Sequence, residues 1–205
     1  MQLNAEDGGN RKYILVQIPE EIDKNQPAHK AGYRTIDEIG RERIKRAASK
    51  IKEETDADID YGFKLYRLNE PNSQTIDKLI EFDPGDINFN EDDYVSNFGF
   101  NGESGKDTIL TTWLNEDGYG LLAKVESLKI GNYEADKYKN SLYLIEPGIK
   151  SDDIMQLIKL LEKNQLDINR VVVYGYSLNF NIANELRNNL KNLKNNQSVN
   201  LIERY

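Results

Sequence analysis

Residues 13–18, YILVQI, make an apolar run of strand length, and Pro19 closes it because proline cannot donate to a sheet ladder. Downstream, Thr35 and Glu38 have the spacing of a capping box. Ile36, Ile39, Ile44, Ala47, Ala48 and Ile51 then fall on one side of a helix of 3.6-residue period. A buried strand that feeds an amphipathic helix is half of a βαβ unit, and a parallel strand needs neighbours. Ahead of the run stands MQLNAEDGG, too short to supply one, so the pattern predicts that the neighbours lie outside this stretch.

The remaining chain punctuates itself. Asp56, Asp58 and Asp60 mark a polar turn, and YGFKLYRL alternates like a half-buried strand, so residues 10–68 read strand, helix, strand. From Asn69 to about Gly105 the sequence is rich in Asn, Asp, Gly and Pro; Asp83, Asp86, Glu91, Asp92 and Asp93 give residues 83–104 the character of an acidic linker. KDTILTTWLNEDG predicts a helix ending near Gly118, and residues 122–148 have the short alternating runs of a small antiparallel sheet. Strand SLYLIE, a helix N-capped by Ser151 with Asp152 and Asp153 in its first turn, strand RVVVYGY, a helix over 181–193 and strand SVNLIER follow. That alternation predicts an α/β domain over 105–205.

Composition removes several chemistries. The chain has no cysteine and one histidine, His29, which leaves no thiolate metal site, no disulfide and little for a serine–histidine pair. No apolar run approaches the roughly 20 residues that span a bilayer, so no membrane partner and a cytoplasmic location are expected. A formal net charge of -8 disfavours DNA binding by these residues unaided, since phosphate contacts require lysine and arginine. Arg41, Arg43, Lys45, Arg46, Lys50 and Lys52 do cluster on the first long helix, where interleaved glutamates favour a solvated, internally paired face.

LNAEDGGNRKYILVQIPE, AGYRTIDEIGRERIKRA and DIDYGFKLYRLN, followed by TWLNEDGYGL, SLYLIEPGI, VVVYGYS and LIERY, together resemble the modification (Mod) subunit of type III restriction-modification systems. The likeness covers nearly the whole chain in the family's order. The resemblance implies a DNA adenine-N6 methyltransferase that uses S-adenosylmethionine, and it places the catalytic Asp-Pro-Pro-Tyr and the glycine-rich donor segment upstream of these residues. The fold expected is therefore α/β, with an incomplete Rossmann-like methyltransferase portion over residues 1–82, the linker 83–104 and a smaller α/β C-terminal domain over 105–205. No catalytic residue and no metal site are expected here, and the fragment is expected to be inactive without the upstream part. At the end of the first strand many relatives place an acid that bonds the donor's ribose hydroxyls; here Gln17 holds that place and Glu20, just past Pro19, is the alternative. The partners implied are the rest of the Mod subunit, a second Mod and the restriction subunit (Res), with DNA engaged through the complete enzyme.

Three strings invite other enzyme readings. GESGKDT around Lys106 lacks the first P-loop glycine and carries Asp107 where a magnesium-binding hydroxyl belongs. GYSLN, with Ser177, lacks the second glycine of a nucleophile elbow and any histidine after it. FDPG at 82–85 reads as a turn on Pro84 and Gly85. Trp113 shares helical spacing with Ile109, Leu110 and Leu114, which suits a packing anchor, and His29 sits in a polar stretch. The competing function is a stand-alone interaction module that associates with the methyltransferase and restriction complex.

Overall fold

The computed structural model describes residues 1–68, 70–82, 94–100, 102–195 and 197–205. The chain divides into two units, residues 1–68 and 69–205, each considered by itself.

The larger unit is built on a five-stranded mixed sheet in the order β1-β2-β3-β4-β5: β1 (Glu126–Ile130), β2 (Tyr133–Tyr138), β3 (Ser141–Leu144), β4 (Arg170–Tyr174) and β5 (Asn200–Arg204). The first three strands are antiparallel, as the short alternating runs predict, and Gly131 takes φ 62° in the β1–β2 turn. β3, β4 and β5 are parallel, in register through Tyr143, Val172 and Ile202. Parallel neighbours require crossovers, which helices α6 (Ser151–Glu162) and α7 (Phe180–Lys191) provide. Successive right-handed crossovers along one direction of a sheet put both helices on the same face.

Alternation along the strands sorts the core into two layers. Leu142, Leu144, Val171 and Val173 join Ile154, Leu157, Leu161, Leu186 and Leu190 of α6 and α7. The intervening Tyr143, Val172 and Tyr174 join Ile109, Leu110, Trp113 and Leu114 of α5 (Gly105–Glu116) on the opposite face. Central parallel strands are thus covered on both sides, which is why they read as unbroken apolar runs. Each fully buried aliphatic side chain contributes about 1.5–3 kcal/mol of transfer free energy. A shorter helix, α4 (Ser73–Ile80), precedes these elements and is capped by Asn72. Residues 83–93 and 101 of the expected acidic linker, with most of FDPG, lie outside the described residues.

One expected cap is corrected. Lys150, not Ser151, is the N-cap of α6, because the buried Asp153 carboxylate reaches back to accept from the Lys150 N–H at 3.0 Å. Its other oxygen accepts from the Asn132 N–H at 2.7 Å, tying the hairpin turn to the helix, while the Ser151 hydroxyl donates to Glu185. Asp153→Ala removes both bonds and is expected to cost about 2 kcal/mol. Urea unfolding of the chain measures that loss.

The smaller unit holds α1 (Gln2–Asp7), α2 (Pro27–Lys30) and the 20-residue α3 (Ile36–Thr55). The expected strand-helix-strand is present as its helix alone among the described residues. Neither 13–18 nor 61–68 pairs as a strand, and the bridge in this unit is Glu21↔Thr35. A strand exists by its ladder, and no sheet edge of this unit lies beside either segment. Ile14 and Val16 are 85% and 92% exposed as a result. Thr35 is the N-cap of α3 as expected, but the capping box does not close: Glu38 accepts from the Arg34 N–H at 2.6 Å, and the Thr35 hydroxyl donates to Asp37 at 2.5 Å. Along α3, Arg41–Asp37, Arg46–Glu42 and Lys50–Glu54 pair at 3.1, 2.7 and 3.6 Å, so half of the basic cluster is matched by acids four residues away.

Candidate functional site

Gln17 and Glu20 are both exposed. The Gln17 amide donates to the Ile18 carbonyl at 3.0 Å, and the Glu20 carbonyl accepts from the Ile36 N–H at 3.0 Å, which fixes the chain's approach to α3. Neither residue lines either of the two clefts described below. The pair offers hydrogen-bonding groups to S-adenosylmethionine, but neither cleft lies beside it, so the two residues by themselves enclose neither an adenosine nor a sulfonium.

Two depressions beside the sheet of the larger unit are formed by described residues. One, of about 490 Å³, lies between the β1–β2 turn, the loop after β3 and the start of α5, and is lined by Lys106, Asn132, Tyr133, Glu134, Glu146 and Lys150 among others. Lys106 is spent on Asp136 at 2.9 Å, and the Tyr133 hydroxyl donates to the Glu146 carbonyl at 2.7 Å. Burial pushes the Asp136 carboxyl upward despite that lysine, and it also pushes the Tyr133 phenol up. The second, about 130 Å³ between Gly175, Leu178, Phe180, Ala183, Arg187, Glu203 and Tyr205, is too small for a nucleotide and is edged by the Arg187–Glu203 ion pair.

The most connected polar group is Asp117, at the C-terminal end of α5. One carboxylate oxygen accepts from the Tyr143 hydroxyl at 2.6 Å and pairs with Arg170 at 2.7 Å; the other takes Arg204 at 2.5 Å. Arg170 also donates to the Ser141 hydroxyl at 2.7 Å and lies over the Tyr119 ring, while Arg204 lies over Trp113. Burial draws the Asp117 carboxyl upward, but the Tyr143 hydroxyl and the two guanidinium groups outweigh it and hold it below the ordinary carboxylate range. A buried carboxylate held by two guanidinium groups and a phenol organises the fold and is not a free acid or base for a substrate. Sequence spacing gave no sign of this group, since its members are brought together from 117, 143, 170 and 204 by the sheet.

GESGKDT and GYSLN hold no catalytic geometry. Ser104 N-caps α5 through Asp107 at 3.0 Å, and Lys106 turns to Asp136 and away from any phosphate cradle. Ser177 is buried and donates to the Ile145 carbonyl at 2.6 Å. Trp113 is a buried packing anchor against Tyr174, and His29 is half-buried on the single turn of α2. Among the described residues no group of three or more His, Cys, Asp or Glu could hold a metal, and no helix is long and apolar enough to cross a membrane.

Residues 104–199, which contain α5 and β1 to β4 and stop just before β5, match the family described as the type III R-M EcoP15I C-terminal domain. Along its entire length the chain is 39% identical to the StyLTI Mod subunit of Salmonella typhimurium, a type III restriction-modification enzyme. It is 30% identical to the EcoPI Mod subunit of Escherichia phage P1 and 29% identical to the EcoP15I Mod subunit of Escherichia coli, each over 97% of the chain. The chain spans 34%, 30% and 29% of those three relatives respectively, about a third of their length.

Proposed function

From the premise that this chain belongs with the Mod subunits of type III restriction-modification systems, we propose that it is their C-terminal portion, serving a site-specific DNA adenine-N6 methyltransferase. In the complete subunit, residues 13–20 close one side of the S-adenosylmethionine pocket, with Gln17 or Glu20 accepting hydrogen bonds from the ribose hydroxyls. The methyl group comes from that donor, and the catalytic and glycine-rich segments belong to the upstream part. The observation that carries the reading is the exposed run Ile14, Leu15, Val16 and Ile18, with Gln17 and Glu20 at its carboxyl end, where open α/β sheets bind ligands.

The larger unit supplies surface for assembly with a second Mod and with Res. Its net-acidic chain and internally matched arginines suit a protein partner better than phosphate, and DNA is engaged through the complete enzyme. A stand-alone interaction module is the second reading, favoured by the self-contained core of the larger unit.

The test is direct. Gln17→Ala/Glu20→Ala in the complete subunit is expected to weaken S-adenosylmethionine binding about tenfold, the loss of one or two hydrogen bonds to a charged or polar acceptor. An unchanged dissociation constant contradicts the pocket role. Deleting residues 105–205 without effect on oligomer size or Res association contradicts the assembly role.

A further inference from the structure

The stretch 83–93 carries Asp83, Asp86, Glu91, Asp92 and Asp93 and no lysine or arginine. A chain of that length with charges of one sign extends when free, and its ends stand roughly 20 Å apart. The residues that flank it stand much closer. The rings of Phe82 and Tyr94 meet edge to face with centroids 5.4 Å apart, and both lie against Tyr176, at 4.7 and 5.6 Å.

Tyr176 is a fixed post. It belongs to the single turn Gly175–Ser177 after β4, where the buried Ser177 hydroxyl donates to the Ile145 carbonyl at 2.6 Å. Its ring also meets Tyr174 and Tyr205, at 5.3 and 5.4 Å. The side on which the chain returns is secured again at the next residue, because Val95 is 2% exposed in the α5 layer and its carbonyl oxygen fills the space that Gly105 leaves empty. On the side where it departs, Phe82 follows α4, whose Thr75 is also 2% exposed. Edge-to-face and stacked rings attract beyond the area they bury, and they act here against a loop-closure entropy that rises only slowly with loop length.

We infer that Phe82, Tyr94 and Tyr176 form an aromatic clasp that fastens both ends of the acidic stretch to the larger unit. The stretch is then an appendage of that unit and does not connect the two units, whose join lies ahead of α4. The clasp, and not the length of the stretch, holds α4 in place. None of this depends on the Mod reading.

The chain has no cysteine, so Lys78→Cys on α4 and Lys191→Cys on α7 accept a pair of spin labels whose separation pulsed electron resonance reads. The unaltered stretch is expected to give one narrow distance distribution. Replacing 83–93 with three Gly-Ser repeats, which reach about 20 Å, is expected to leave that distribution in place. Phe82 lies outside the sheet, so Phe82→Ala is expected to lose the narrow distribution while the amides of β3 and β4 keep their protection from hydrogen exchange. A broad distribution with Phe82 present overturns the inference. So does a distance that shifts when the stretch is replaced, which would make its length the device that positions α4, and so does a narrow distribution that survives Phe82→Ala.

Discussion

Asp117→Ala is expected to lower the unfolding free energy of the chain by about 3–5 kcal/mol, the range for removing one member of a buried ion-pair network. Its carboxylate side chain is 4% exposed and its partners Arg170 and Arg204 are each 22% exposed. Deleting it leaves two largely desolvated guanidinium groups and the Tyr143 hydroxyl without their shared acceptor. Asp117→Asn keeps the volume and is expected to lose most of the same stability. Urea unfolding of the three proteins measures the effect, and a loss below about 1 kcal/mol would show that the network behaves as a surface pair.

The same carboxyl sets an acid limb. Its folded pKa lies below the unfolded value, so its contribution is fully present above about pH 4 and is lost as pH falls through the folded value. Asp136, with its pKa raised by burial, acts in the opposite sense, giving up stability as pH rises from its unfolded to its folded value. The urea midpoint is therefore expected to fall on acidification below about pH 4, and to fall less steeply in Asp117→Asn.

Gly105→Ala is the second large effect, expected at about 2–3 kcal/mol. A Cβ at Gly105 would lie 1.7 Å from the Val95 carbonyl oxygen and 2.6 Å from its carbon. That obstacle is backbone, and Val95 is itself 2% exposed in the α5 layer, so it has nowhere to retreat. The gain in helix propensity at the first position of α5 is at most about 1 kcal/mol and does not reverse the sign. For a folded unit of this size the melting temperature is expected to drop by roughly 10 °C. An unchanged melting temperature would mean that the 94–100 segment does not pack against α5 in solution. By contrast, Gly175 meets the ring of the exposed terminal Tyr205, which can move at the loss of a 3.3 Å bond to Glu203 and an edge contact with Tyr176, so Gly175→Ala is expected to cost about 1 kcal/mol.

How legible these features were in sequence depended on whether the cause was local. RVVVY and SLYL declared themselves because strands covered on both faces must be apolar at consecutive positions, and β1–β2 did so by alternation around Gly131. Ser151 competes for the α6 cap in sequence because its hydroxyl is a good cap, but Asp153 bonds the Lys150 N–H, and the Asn132 N–H from a hairpin 21 positions away helps hold that carboxylate in place. YILVQI carries the sequence of a buried strand without forming one here, since propensity does not supply a ladder. The Asp117 group was illegible: Arg204 lies 87 positions from its acceptor, and no spacing rule joins them. Gln17 and Glu20 were nameable only through the order of segments in the resemblance, and both are exposed.

The central claim is that these residues provide one side of a donor pocket and not the pocket. Isothermal titration of the 205-residue chain with S-adenosylmethionine tests it most directly. The expected result is no saturable heat; binding with a micromolar dissociation constant would contradict the account.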